Sequence, residues 1–261
     1  MKNNYCLLYL FLLFLLVPAY AEETFIELNL QVVNRDTPVF TRPQEHKLGN
    51  EYRLKLMKIV NSQQISLPPK TEALVLYYGE VKLGFPVQNY GVLVDFEGKE
   101  KTLWVDSDAD GDFSEEKSYP IFKSDQYPGI NVYFSPEPLE FQLADSVKGQ
   151  TVKIPFQYDL PFLIVSREGH GDYFFLRSRT WLTGSVEDNG EELRIALVDT
   201  NDNGVYNDPE DMFFIDLNHD LNFSPDEGKA LNKGVTFKLK KTRYRMDFQF
   251  LPEKIILEGK R

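Results

Sequence analysis

Three stretches of the chain put an oxygen-bearing side chain at every second place. The first reads Asp106-Ser107-Asp108-Ala109-Asp110-Gly111-Asp112-Phe113-Ser114-Glu115-Glu116. The second reads Asp199-Thr200-Asn201-Asp202-Asn203-Gly204-Val205-Tyr206-Asn207-Asp208-Pro209-Glu210, and the third Asp216-Leu217-Asn218-His219-Asp220-Leu221-Asn222-Phe223-Ser224-Pro225-Asp226-Glu227. Numbered from their first aspartate, all three carry an acid or amide at positions 1, 3 and 5 and an aromatic residue at position 8. That spacing suits a hard cation. Calcium takes six to eight oxygens at about 2.3–2.6 Å, and alternate side chains of a curled segment can all reach one ion. Glycine at position 6 permits the sharp turn, position 7 lends a backbone carbonyl, and a bidentate glutamate at position 12 closes the shell. The candidate ligands for Ca2+ are therefore Asp106, Asp108, Asp110 and Asp112 in the first loop. They are Asp199, Asn201, Asn203, Val205 and Glu210 in the second, and Asp216, Asn218, Asp220, Asn222 and Glu227 in the third. The aromatic at position 8 is expected to pack on a sheet and anchor its loop.

Each loop departs from the pattern somewhere. The first has Lys117 at position 12, so Glu115, Glu116 or water must close its shell. The third has Leu221 where glycine is expected, which strains the turn. The second offers only two carboxylates at liganding positions, with Asp202, Asp208 and Asp211 as electrostatic support. One acidic turn means little, because Asp, Asn and Gly dominate turns anyway; three aligned copies carry the argument. The DxDxDG form resembles the calcium loops of EF-hand and dockerin proteins, over well under a quarter of the chain. The layout is also similar to secreted bacterial β-rich proteins with such loops. The resemblance implies calcium binding and export, and no specific activity.

The elements that must position these loops are strands. Period-two alternation recurs at Ile26-Leu28-Leu30-Val32, Val92-Val94-Phe96, Ile130-Val132-Phe134, Val152-Ile154-Phe156, Leu193-Ile195-Leu197 and Tyr244-Met246-Phe248-Phe250. Turn residues punctuate them, as at Ser135-Pro136-Glu137-Pro138. A phase slip at residues 240–243 implies a tight turn or bulge. Long helical patterns are absent. The expectation is an all-β protein, an antiparallel sandwich or barrel-like modules with strand-flanked calcium loops. The segments before the first and second loops echo one another as strand, turn and strand, as a duplicated β unit would. The expected division is a leader at residues 1–21, an N-terminal module at 22–145 with the first loop, and a C-terminal module at 146–261 with the other two.

The leader reading rests on Lys2, an apolar run over residues 6–17, and Ala19-Tyr20-Ala21 before Glu22-Glu23, the layout of a cleaved secretory signal. Cleavage removes Cys6, the only cysteine, so no internal disulfide is expected and the chain relies on its core and on ions. Nothing later is long and apolar enough for a membrane helix, and a secreted or periplasmic location follows. The net charge of −11 argues against nucleic acid and anionic membranes as partners and suits divalent cations. His46, His170 and His219 fall in no zinc spacing, and no nucleophile elbow, Walker loop or dinucleotide fingerprint occurs. Lys238, Lys240, Lys241, Arg243 and Arg245 form a basic cluster, read as a solvated strand face or as a contact for an anionic polymer. The function expected is a non-enzymatic, calcium-binding exported module, structural or binding an envelope or extracellular protein or polysaccharide. The alternative is a secreted polysaccharide hydrolase with structural calcium.

Overall fold

The computed structural model describes residues 23–34, 50–54, 56–59, 66–67, 75–165, 172–188, 191–231, 236–239, 242–249 and 251–260. The leader read at residues 1–21 lies outside these, as do His46 and His170. In chain order the strands are β1 (Glu23–Asn29), β2 (Gln31–Asn34), β3 (Asn50–Leu54), β4 (Met57–Ile59), β5 (Leu76–Leu83), β6 (Gln88–Asp95), β7 (Thr102–Val105), β8 (Ser118–Pro120), β9 (Phe122–Lys123) and β10 (Asn131–Phe134). They continue as β11 (Leu139–Val147), β12 (Gln150–Val165), β13 (Asp172–Ser178), β14 (Thr180–Asp188), β15 (Glu191–Val198), β16 (Met212–Ile215), β17 (Gly228–Ala230), β18 (Thr236–Leu239), β19 (Thr242–Asp247) and β20 (Lys254–Lys260).

These strands form four antiparallel sheets. Their orders are β1-β20-β19-β18; β3-β13-β12-β10-β9, with β11 also on β12; β17-β16-β15-β14-β2; and β4-β5-β6-β7-β8. The all-β reading holds. Each sheet is open, so the barrel-like variant finds no closed sheet among the described residues. No helix among them is long and apolar enough to cross a membrane.

The resemblance to EF-hand and dockerin proteins is overturned. Those motifs hold their loop between two helices, whereas each acidic loop here joins two neighbouring strands. The helical residues among those described are the three-residue 3-10 turn Pro225–Glu227 and Leu231. The reason lies in the flanks. The residues before the loops, such as Leu103-Trp104-Val105, form short apolar runs that include aromatic and β-branched residues and are buried on both faces, a strand pattern rather than the start of a helix.

Alternation places the core. On β11, Leu139, Phe141 and Leu143 are buried while Glu140 and Gln142 face out; on β19, Tyr244 and Met246 are buried between exposed Arg243 and Arg245. One apolar cluster gathers residues of all four sheets, among them Val92, Phe156, Leu197 and Leu257. Strand β6 is buried on both faces, Val92 and Val94 in that cluster and Leu93 in a satellite of Leu76, Trp104 and Phe113.

Two local features depart from the alternation reading. Residues 26–32 alternate without interruption, yet the strand breaks at Leu30, where β1 pairs with β20 and β2 pairs with β14. The Leu30 N–H donates to the Glu253 carbonyl at 2.8 Å, so the break costs no backbone hydrogen bond. Strand β12 is sixteen residues long, with a register shift between Asp159 and Phe162. That irregularity lets its first half pair with β11 and its end pair with β10.

Candidate functional site

Each acidic loop is a long hairpin connection. The first joins β7 to β8 beyond the pair Trp104–Ser118, the second β15 to β16 beyond Val198–Met212, and the third β16 to β17 beyond Phe214–Gly228. Because β15 and β16 run antiparallel, the second and third loops lie at opposite ends of their sheet.

All three curl the same way. The position-1 carboxylates of Asp106, Asp199 and Asp216 are buried. Each accepts the backbone N–H groups of positions 5 and 6. Those are Asp110 at 3.0 Å and Gly111 at 3.1 Å, Asn203 at 3.3 Å and Gly204 at 2.7 Å, and Asp220 at 3.1 Å and Leu221 at 3.2 Å. The position-5 side chains of Asp110, Asn203 and Asp220 accept the position-7 N–H at 2.7, 2.8 and 2.8 Å. The curl requires left-handed backbone at position 4, with φ of +62° at Ala109, +58° at Asp202 and +60° at His219. It requires it again at position 6, with +83° at Gly111, +82° at Gly204 and +65° at Leu221. Glycine accepts that conformation without strain and leucine does not.

A second acid clasps each loop shut from its far end by taking the N–H of position 2. Glu116 accepts from Ser107 at 2.6 Å, Asp211 from Thr200 at 3.1 Å and Glu227 from Leu217 at 2.9 Å. These acids stand at positions 11, 13 and 12. Each closes the same short turn, its N–H donating to the carbonyl three residues earlier, Glu116 to Phe113, Asp211 to Asp208 and Glu227 to Ser224, and the difference in length lies in the residues before that turn. Glu227 also takes the Ser224 N–H and hydroxyl, at 2.9 and 3.0 Å.

In the first loop, carboxylate oxygens of Asp106, Asp108 and Glu116 lie within 4.8 Å of one another, and Asp108, Asp110 and Glu115 form an overlapping group. Asp108 Oδ1 is buried and makes no hydrogen bond. Asp112 turns back to accept the Ser114 N–H at 2.8 Å, and this holds its carboxyl below the usual range. Burial pushes the Asp106 and Glu116 carboxyls up, partly offset by the backbone N–H groups they accept.

The second loop is the most deeply seated. Burial raises the Asp199 carboxyl, with the Asp211 charge adding to it, and burial pushes Asp211 itself up to about 7. Glu210 is exposed and accepts the Asn201 amide at 3.2 Å, so Asp211 has the place that Glu116 and Glu227 hold in the other loops. Asp208 accepts the amide groups of both Asn201 and Asn203. Outside its own sheet, the loop meets two others. Ser178 N–H donates to Asp202 Oδ1 at 2.7 Å, Tyr52 hydroxyl to the Asp202 carbonyl at 2.7 Å, and Gly84 N–H to the Asn203 carbonyl at 2.9 Å. The third loop is more exposed. Its Asn218 and Asn222 amides donate to Asp220, and His219 Nδ1 lies 3.3 Å from the Glu192 carbonyl of β15.

The position-8 aromatics fasten the loops down. Phe113 fills the satellite on the outer face of β5–β7, and Phe223 packs with Trp181 and Phe214 on the outer face of β14–β16. Tyr206 enters the main cluster against Phe156, their rings 5.4 Å apart. The sequence reading gave Asp211 only an electrostatic role and missed its closing one, because it lies one place past the fixed spacing. The positive φ at position 4 leaves no signature in Ala109 and only a weak one in Asp202 and His219, residue types that adopt it more readily than most. Compared with protein-family models, with curated proteins and with solved structures, the chain matches none of them.

Proposed function

We propose that this protein is an exported, calcium-stabilised β module with a structural or binding role outside the cytoplasm, and not an enzyme. The observation that carries the reading is the threefold recurrence of one curl with a buried carboxylate at its start and a second carboxylate clasped to position 2. Such a curl gathers acids whose charges repel unless a cation balances them. Burial first, and neighbouring like charge second, raises the carboxyls of Asp106, Asp199 and Asp211, and a cation would offset both. An all-oxygen ligand set of mixed side chains and carbonyls favours calcium over magnesium, which demands near-ideal octahedral geometry and keeps its waters. Hairpin flanks favour rigid structural sites over a sensor, whose readout is a change of angle between helices. The leader-like start of the sequence supports export into a calcium-rich space.

The test is a thermal melt of the protein with calcium, with magnesium and with chelator. One site at about 100 times its dissociation constant adds about 2.7 kcal/mol, a rise of roughly 5–10 °C in a chain of this size. Calcium should give that rise, magnesium much less, and chelator should abolish it. Superimposable melts in all three conditions would remove the proposal.

A further inference from the structure

The sheet of β1, β20, β19 and β18 carries a constellation of opposite sign, built from none of the loop residues. Lys238, Arg243 and Lys260 stand directly opposite one another across three adjacent strands. Arg245, two residues on from Arg243, faces Thr236 on one side and Glu258 on the other. Alternation on β19 turns both arginines to the same outer face, and Lys238 and Lys260 are exposed beside them. Thr236, Arg243, Tyr244, Arg245, Glu258 and Lys260 line a groove of about 210 Å³. The chain has 40 acids against 29 lysines and arginines, yet three cations and one acid line this groove. Like charges directly opposite in a sheet destabilise it. None of Lys238, Arg243 and Arg245 relieves this through an ion pair among the described residues, and Arg243 only leans on the Thr236 hydroxyl at 3.5 Å.

We propose that this groove binds an acidic polysaccharide through its carboxylates. Neighbouring strands lie about 4.7–4.9 Å apart, so a chain crossing the sheet meets a cation at each strand of the Lys238–Arg243–Lys260 row. The arginines offer forked donors that match carboxylate geometry. The whole-molecule charge of −11 selects against densely charged partners, since a nucleic acid or an anionic bilayer meets net repulsion within a Debye length of about 8–10 Å. A polymer with one carboxylate per sugar carries less charge per unit length than a nucleic acid duplex, with its charge every ~1.7 Å, and engages the groove locally. Glu258 disfavours carboxylates at one end and so limits the site to the cation row.

The experiment is a binding titration of the protein with oligogalacturonate at low salt and with chelator present, so that its outcome is independent of the acidic loops. Binding should weaken steadily as salt is added. The Arg243→Glu/Arg245→Glu variant should lose about tenfold or more, and Glu258→Gln should bind a few-fold tighter. Should the double charge reversal not fold, Arg243→Gln and Glu258→Gln decide, with affinity expected to move in opposite directions. Charge reversal that leaves binding unchanged overturns the proposal. So does equal binding of neutral dextran, retention by phosphatidylglycerol vesicles without oligogalacturonate binding, or no binding at all.

Discussion

At the scale of single residues, one carboxylate organises the start of each loop and a second closes it, and the closing acid is set by geometry rather than by count. The every-second-residue spacing was legible in the sequence, and the structure gives the side chains at positions 1 and 5 the same hydrogen bonds in all three loops, whereas Asp112 at position 7 turns back onto Ser114. The closing acid was legible outright in the third loop, where Glu227 falls at position 12, and as one of three alternatives in the first, where Glu116 makes the bond. In the second loop Glu210 sits at that position but faces outward, and Asp211 makes the bond. Asp211→Asn should therefore lower calcium affinity by about tenfold or more, given the worth of a charged hydrogen-bond acceptor, while Glu210→Gln should change it little; titration calorimetry on both variants checks this. Equal losses would return the closing role to Glu210. At Leu221 the structure places an exposed leucine at φ +65°, a conformation that costs a side-chain-bearing residue roughly 1–2 kcal/mol. Leu221→Gly should recover about 1 kcal/mol, read as a higher urea midpoint with unchanged slope. A lower midpoint would mean that the leucine contributes more to the loop than its backbone costs.

At the scale of elements, the loops cover sheet faces as well as connecting strands. Strand β6 is buried on both sides, and its outer side is covered by Phe113 from the first loop. The outer side of β14–β16 is covered in the same way by Phe223 from the third. Phe113→Ala and Phe223→Ala should each destabilise the protein by about 3–5 kcal/mol, the usual cost of emptying a buried phenylalanine site, and should weaken calcium binding to the same loop. Measured losses under 1 kcal/mol would show that the loops lie over the sheets without anchoring them. Alternation identified strands and the inward faces of β11 and β19, but Ile130 and Phe134, read as inward, are exposed while Tyr133 between them is buried; the shared aromatic at position 8 suggested an anchor. Pairing partners were not legible. Residues 26–32 alternate without interruption in sequence, yet across the break at Leu30 the buried position moves from Leu28 to Val33 and leaves Val32 exposed, because β1 and β2 belong to different sheets. The strand β12 likewise shows one long run where the structure uses two halves with different neighbours.

At the scale of the whole molecule, the second loop is where three sheets meet. It belongs to the sheet of β14–β16, receives Ser178 and Tyr52 from the sheet of β12 and β13, and receives Gly84 from the tip between β5 and β6. Gly84 is needed there: at φ +79° it brings its backbone so close to β11 that a Cβ would lie 2.5 Å from the Ala144 carbonyl. Near this junction the acids are raised by burial, Asp211 to about 7 and Asp145 of β11 to about 6, the latter with the Asp208 charge adding to it. An acid whose folded pKa lies above its unfolded value of 3.8 contributes stability that is complete below that value and is lost as pH rises through the folded pKa. In chelator, the contribution of these two groups should therefore fall away between about pH 4 and pH 7. A calcium ion held by the loop stabilises the ionised form of Asp211, so binding should release protons in that window and reverse the trend. Melting temperatures taken across it should diverge, falling with pH in chelator and holding or rising in calcium. Two parallel curves would mean that protonation at this junction is not linked to the ion, and the second loop would then owe its stability to the packing of Tyr206 and its hydrogen bonds to the neighbouring sheets.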